Sequence, residues 1–147
     1  MEVQIEDIQE QIPIDHGWVK RVTEWVFDAL GRREGEVSIV FVDDSRMAEL
    51  NKQYRKKQGP TDVLAFNLAD DAPNNYIEGE IYVDLQVAAR QADRFKVGYL
   101  EEVSRLCVHG LLHLLGFDDL TPPAKKKMWN MQEKYLVEFK IKELHGH

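Results

Sequence analysis

Two histidines, His109 and His113, stand four residues apart in the run L-C-V-H-G-L-L-H-L-L-G-F-D-D-L, residues 106–120, which is otherwise almost wholly apolar. On a helix that spacing stacks them on one face, about 40° apart around the axis. Leucine, valine and cysteine fill the remaining circumference from Leu106 to Leu115, so the pattern predicts a helix buried all round. A buried imidazole needs a partner for each ring nitrogen, and a pair pointing the same way can share one, a divalent metal ion. Gly116 supplies the residue type that ends helices in a left-handed cap. A sharp turn there would bring Asp118 or Asp119 back toward the rings, which neither can reach from a continuing helix. Two histidines and one aspartate make the three protein ligands of a catalytic zinc site, with the fourth position left to water. Backbone-bonded core histidines are the plain alternative, better suited to a lone histidine than to this pair.

The elements that must position these residues follow from periodicity. Val3 and Ile5 alternate with polar residues as in a half-buried strand. Asp15 is a plausible cap for a helix whose stripe is Trp18, Val19, Val22, Trp25, Val26, Ala29 and Leu30, ended by Gly31. Val37 to Val42 is apolar on both faces and predicts a central strand. Asp43, Asp44 and Ser45 offer caps for a helix with Met47, Leu50 and Tyr54 inward; it runs into the basic patch 52–57 and stops at Gly59-Pro60. Thr61 to Leu68 and Ile77 to Asp84 read as a hairpin across the polar loop from Ala69 to Tyr76, with Gly79 marking a bulge or a close backbone approach. Helices are expected over about Leu85 to Phe95, over about Leu100 to Leu115, and after Pro122-Pro123, the last with Met128, Met131, Tyr135, Leu136 and Phe139 inward.

With 147 residues, 44% hydrophobic and 31% charged, the chain is expected to form one domain, residues 1–147. It has no apolar run long enough to span a membrane and no basic-then-apolar start, so a cytoplasmic location is expected. The single cysteine, Cys107, excludes an internal disulfide and reads as packing. A net charge of −7 argues against a general nucleic-acid binder, although 52–57 and Lys125 to Lys127 are locally basic.

Three stretches carry a resemblance. His109-Gly-Leu-Leu-His-Leu-Leu-Gly-Phe-Asp-Asp119 is similar to H-G-x-L-H-L-x-G-[YF]-D-H of the YbeY family of bacterial endoribonucleases. Leu50-Asn-Lys-Gln-Tyr-Arg55 and Pro60-Thr-Asp-Val-Leu-Ala-Phe66 resemble that family's L-N-x-x-Y-R and P-T-D-V-L-S-F, and Gly79-Glu-Ile81 its G-D-I. The resemblance implies an α+β fold, a small mixed four-stranded sheet packed with about five helices around a zincin-like metal cleft. It also implies endoribonuclease activity on single-stranded RNA, in ribosomal RNA maturation and ribosome quality control. The implied partners are ribosomal RNA and proteins of the small ribosomal subunit, with neither membrane nor DNA involved. The metal ligands would be His109, His113 and Asp119. The family has histidine where this chain has Asp119; a carboxylate suits zinc, but its charge tilts the preference toward harder ions, so another divalent metal is open.

In that reading the metal lowers the pKa of water and polarises a phosphoryl oxygen. Arg55 holds the substrate phosphate through its planar fork of donors, and Lys56 and Lys57 extend the track. Asp118 is the candidate to orient a ligand or accept a proton, and Arg105, one turn before His109, borders the site. Two rivals stand beside it. A zinc protease needs a glutamate next to its first histidine, and that position is Gly110. A non-catalytic ribosome-associated protein with a structural metal needs a fourth protein ligand, for which Asp118, His145 and His147 are the candidates.

Overall fold

A computed structural model gives the fold and describes residues 2–31, 34–68 and 76–145. Of the loop expected from Ala69 to Tyr76, residues 69–75 lie outside them, as does His147, and Tyr76 opens a strand. The elements run β1 (Glu2–Asp7), α1 (His16–Ala29), β2 (Glu34–Val42), α2 (Asp44–Arg55), β3 (Val63–Asn67), β4 (Tyr76–Asp84), α3 (Leu85–Phe95), α4 (Tyr99–Leu114) and α5 (Pro122–His145). The sheet order is β1-β2-β4-β3; β1, β2 and β4 are parallel and β3 pairs antiparallel with β4. This is the mixed four-stranded α+β architecture expected. Among the described residues no helix is long and apolar enough to cross a membrane.

β2 is central and buries alternate residues on opposite faces. Val37, Ile39 and Phe41 join the main core with Ile81, Val83 and the helices α1, α3, α4 and α5, whereas Val40 and Val42 pack with Leu64, Met47 and Leu50 beneath α2. The caps are those the sequence offers. Asp15 accepts from the Trp18 N–H at 3.0 Å and Asp43 from the Arg46 N–H at 2.9 Å. Two inward-facing expectations need correcting. Tyr54 is 56% exposed and Asn51 takes the buried place on α2, its Nδ2 donating to the Gly59 carbonyl at 2.9 Å. On α1, Ala29 is exposed, and Thr23 and Phe27 are buried beside Val19, Val22 and Val26. α2 ends at a left-handed Lys56, ahead of Gly59-Pro60.

α4 crosses the main-core face of the sheet, and two glycines set its distance. A Cβ on Gly110 would meet Ile81 Cγ2 at 2.7 Å; one on Gly79 would meet the Leu114 methyls at 2.7 Å and the Phe66 carbonyl oxygen at 2.9 Å. Gly79 pairs in register with both Val37 and Asn67, so of the two expected readings the close approach holds and the bulge does not.

Where β4 ends, Asp84 caps α3, its Oδ1 accepting from the Gln86 and Val87 N–H groups at 2.9 and 3.2 Å. Asp84 is fully buried, and that burial, with the nearby Asp44 carboxylate, pushes its carboxyl up to about 7. Arg90 grips Asp44 through two bonds of 2.9 and 3.0 Å and holds it below its usual range.

Gly79→Ala should cost about 1–3 kcal/mol in denaturant unfolding, because a backbone oxygen blocks the new methyl; an unchanged midpoint would contradict the packing. For Asp84 the raised value means that the native chain binds more protons than the unfolded chain between about pH 4 and pH 7, so its contribution to stability falls as pH rises through that window. Asp44, depressed, acts only below about pH 4, where stability is lost as pH falls. Asp84→Asn keeps the cap and adds a donor toward Asp44. The variant should gain stability over the parent from about pH 5 to pH 8; a parent–variant difference in Tm independent of pH would refute this.

Candidate metal centre

α4 ends as its sequence dictates. Gly116, at φ +97°, takes the left-handed position, its N–H donating to the His113 carbonyl at 3.1 Å, while the Phe117 N–H reaches back to the Leu112 carbonyl at 3.1 Å. This paired closure reverses the chain and returns Asp119 to the histidines. The possible ligand atoms of His109, His113 and Asp119 lie within 4.8 Å of one another. The helix is not buried all round, however. His109 and His113 are half-buried and Asp119 is exposed, so the histidine stripe faces a cleft.

The donor set fits a divalent metal. The two Nε2 atoms face each other at 3.1 Å. Two nitrogens bound at about 2.0–2.1 Å to one tetrahedral zinc would stand about 3.3 Å apart. His109 Nδ1 is 2.7 Å from Gln132 Oε1, which, as an amide oxygen, can only accept. That contact fixes the tautomer and turns the Nε2 lone pair toward His113. Burial, followed by the nearness of His109, holds His113 below the usual imidazole range, against smaller opposite effects from Asp119, the Phe117 backbone and Asp118. The neutral form that ligates a metal is thereby favoured.

Gln132 is the residue that sequence reasoning missed. It is 2% exposed and sits between Met128 and Leu136 on the inward stripe of α5, so a polar residue interrupting that stripe was the available signal. Its Nε2 donates to Glu133 at 3.1 Å. Glu133 in turn takes two bonds from Arg105, at 2.8 and 3.0 Å, and Arg105 also donates to Glu102 at 2.8 Å and Glu101 at 3.3 Å. Lys140 closes the chain on Glu101. Arg105 lines a neighbouring cavity that reaches His109 rather than the cleft of the three candidate ligands, and its charge is committed to three carboxylates.

A cleft of about 400 Å³ joins His109, His113 and Asp119 to Arg55 and the 61–65 segment leading into β3. Among the described residues Arg55 has no ion-pair partner, so the guanidinium at the end of α2 is available to an anion in the cleft. Lys56 and Lys57 are exposed beyond Arg55 and do not line the cleft. Asp118 does not line it either; its Oδ1 accepts from the Leu120 N–H at 3.0 Å and braces the turn that carries Asp119. Cys107 is fully buried and its thiol is pushed far up by that burial, in keeping with packing. His145 lies thirteen residues beyond Gln132 on α5, about 20 Å along the axis, too far to complete the site. Gly110 has no room for the glutamate of a protease.

The family model for endoribonuclease YbeY matches residues 4–140, a span that contains Arg55, both histidines, Asp119 and Gln132. The endoribonuclease YbeY of Salinibacter ruber is 38% identical over 129 residues, covering 84% of this chain and 82% of that one. Its counterpart from Carboxydothermus hydrogenoformans is 37% identical over 135 residues, covering 90% and 94%. In fold, the chain is similar to the solution structure of TM1509 from Thermotoga maritima, with a TM-score of 0.63 and 26% identity over 92% of this chain and 87% of that one. With sequence match and fold in agreement over nearly every element, the chain belongs to the YbeY family of endoribonucleases.

Proposed function

We propose that the chain, as one domain, is a metal-dependent endoribonuclease that hydrolyses phosphodiester bonds in single-stranded RNA. Its place would be the cytoplasm, in ribosomal RNA maturation and ribosome quality control, alongside proteins of the small ribosomal subunit. The observation that carries the reading is the convergence on one cleft of Arg55, a guanidinium without an ion-pair partner among the described residues, and the cluster of His109, His113 and Asp119. The names of the relatives supply the reaction class.

Two imidazole nitrogens and a carboxylate oxygen suit zinc, and the carboxylate also admits a harder divalent ion. Held by His109, His113 and Asp119, such an ion would supply Lewis acidity toward a phosphoryl oxygen and would lower the pKa of water. The residues do the rest. Gln132 locks His109 in the ligating tautomer, and Asp118 braces the turn that presents Asp119. Arg55 draws the substrate phosphate against the cluster through its fork of donors and offsets charge as it develops. Lys56 and Lys57 continue the basic track along the strand. The exposed Asp119 leaves the cluster open to solvent and substrate on one side, which favours catalysis over a structural metal closed by four protein ligands.

Elemental analysis after dialysis should find about one equivalent of divalent metal in the wild type and little in His109→Ala or His113→Ala, with Asp119→Ala weakened. Gln132→Ala should bind metal about 10–100-fold more weakly, since it releases the tautomer and orientation of His109; retention equal to wild type would remove Gln132 from the site. Arg55→Glu should keep its metal and its Tm yet lose RNA cleavage by at least about 100-fold. Undiminished cleavage in that variant would overturn the phosphate role.

A further inference from the structure

Trp129 is 54% exposed on α5 and lines two cavities, each of which reaches His109. The larger, about 570 Å³, opens between α3, α4 and α5, with Phe95, Val97, Leu106 and Trp129 as its apolar walls. The smaller, about 360 Å³, extends to Asp119 and is edged by Lys125 and Lys126. Phe95 is 58% exposed, and among the described residues neither it nor Trp129 has an aromatic partner. Two large, half-exposed rings thus stand beside the candidate metal cluster without an aromatic partner among the described residues.

The charges around the rings are arranged unequally. Arg105 lines the larger cavity, but Glu101, Glu102 and Glu133 neutralise it, so this wall offers an anion nothing. Lys125 and Lys126 have no ion-pair partner among the described residues; Lys125 edges both cavities and Lys126 the smaller one. Lys125 stands one helical turn before Trp129, and Gln132, which holds His109, stands three residues after it. One face of α5 therefore presents, in order, a free ammonium, an exposed indole and the amide that fixes the metal-ligand candidate.

We propose that Trp129, with Phe95 across the cavity, forms a stacking subsite for an unpaired nucleobase adjoining the cleaved phosphate, and that Lys125 takes a phosphate of the same nucleotide. The inference rests on the endoribonuclease reading above. Asp62 also lines the larger cavity, where its carboxylate accepts from the Val63 N–H at 2.8 Å and from Gln91 at 3.2 Å. An aromatic-walled recess with lysines at its rim matches a flat ring carried on an anionic backbone. A base held in a duplex cannot leave its stack to enter the recess without an unpairing cost, so the subsite selects single strands by shape rather than by sequence.

The test compares metal-loaded wild type, Trp129→Ala and Trp129→Phe on a short single-stranded RNA. A matching RNA made abasic at the nucleotide beside the cleavage point serves as the second substrate. Binding is read by anisotropy of labelled RNA within the first turnover, and cleavage is read separately. Trp129→Ala should weaken binding and raise KM about tenfold or more with kcat within about twofold, and Trp129→Phe should recover most of the loss. The abasic RNA should bind more weakly to wild type but no more weakly to Trp129→Ala. Unchanged Tm would show that the exposed site tolerates the substitutions. Wild-type affinity in Trp129→Ala, or an abasic penalty that persists in that variant, would overturn the subsite even if cleavage continues. Weaker binding by Trp129→Ala in a chain that never cleaves RNA would uphold the subsite and overturn the endoribonuclease reading instead.

Discussion

A side chain at position 110 would collide with Ile81 at 2.7 Å, so α4 lies where it does only because that position is glycine. Gly79 meets it from the sheet side, against Leu114. The closeness of this crossing determines the site. It turns the histidine face of α4 toward the cleft beside β3, and it leaves no volume for an acidic residue between the two histidines and the sheet. The glutamate that a zinc protease carries next to its first histidine therefore has no place here. What remains is a cluster of metal-ligating groups beside an arginine, and that arrangement favours phosphate over peptide.

Behind the cluster runs a polar chain from His109 through Gln132 and Glu133 to Arg105, Glu102, Glu101 and Lys140. Most of these groups are wholly or partly withdrawn from water, and such charges add little net stability even when well paired, because desolvation offsets much of the attraction. Breaking one link is costly, since its partner is then left without compensation. The chain thus contributes orientation more than stability. It ties α4 to α5 at defined atoms, where apolar contacts alone would tolerate a small slide or rotation of one helix on the other.

Much of this was legible in the residues themselves. The histidine pair, the cap at Gly116 and the return of an aspartate are local events, governed by spacing within a dozen residues. The double-sided apolar pattern of Val37 to Val42 similarly marked β2 as central. Gln132 was not legible, because its role depends on His109, twenty-three residues away, meeting α5 at one particular rotation. Burial of α4 was overestimated because periodicity reports how apolar a face is, not whether another element covers it. Tyr54 failed for a related reason: Asn51, hydrogen-bonded to the Gly59 carbonyl, occupies the inward position, and the tyrosine packs edge-on against Phe66 at 5.0 Å near the surface.

The strand order has a consequence for how the chain is made. β2 is flanked by β1, which precedes it, and by β4, which begins more than thirty residues after β2 ends. During synthesis, one edge of the strand at the middle of the sheet waits unpaired while α2 and β3 emerge. That edge is apolar on both faces, the kind that pairs readily with other chains. β3 cannot cover it, because β3 joins the sheet only through β4. The nascent protein therefore passes through a stage at which a central strand lacks its second neighbour, and appearance of the Tyr76–Asp84 segment ends that exposure.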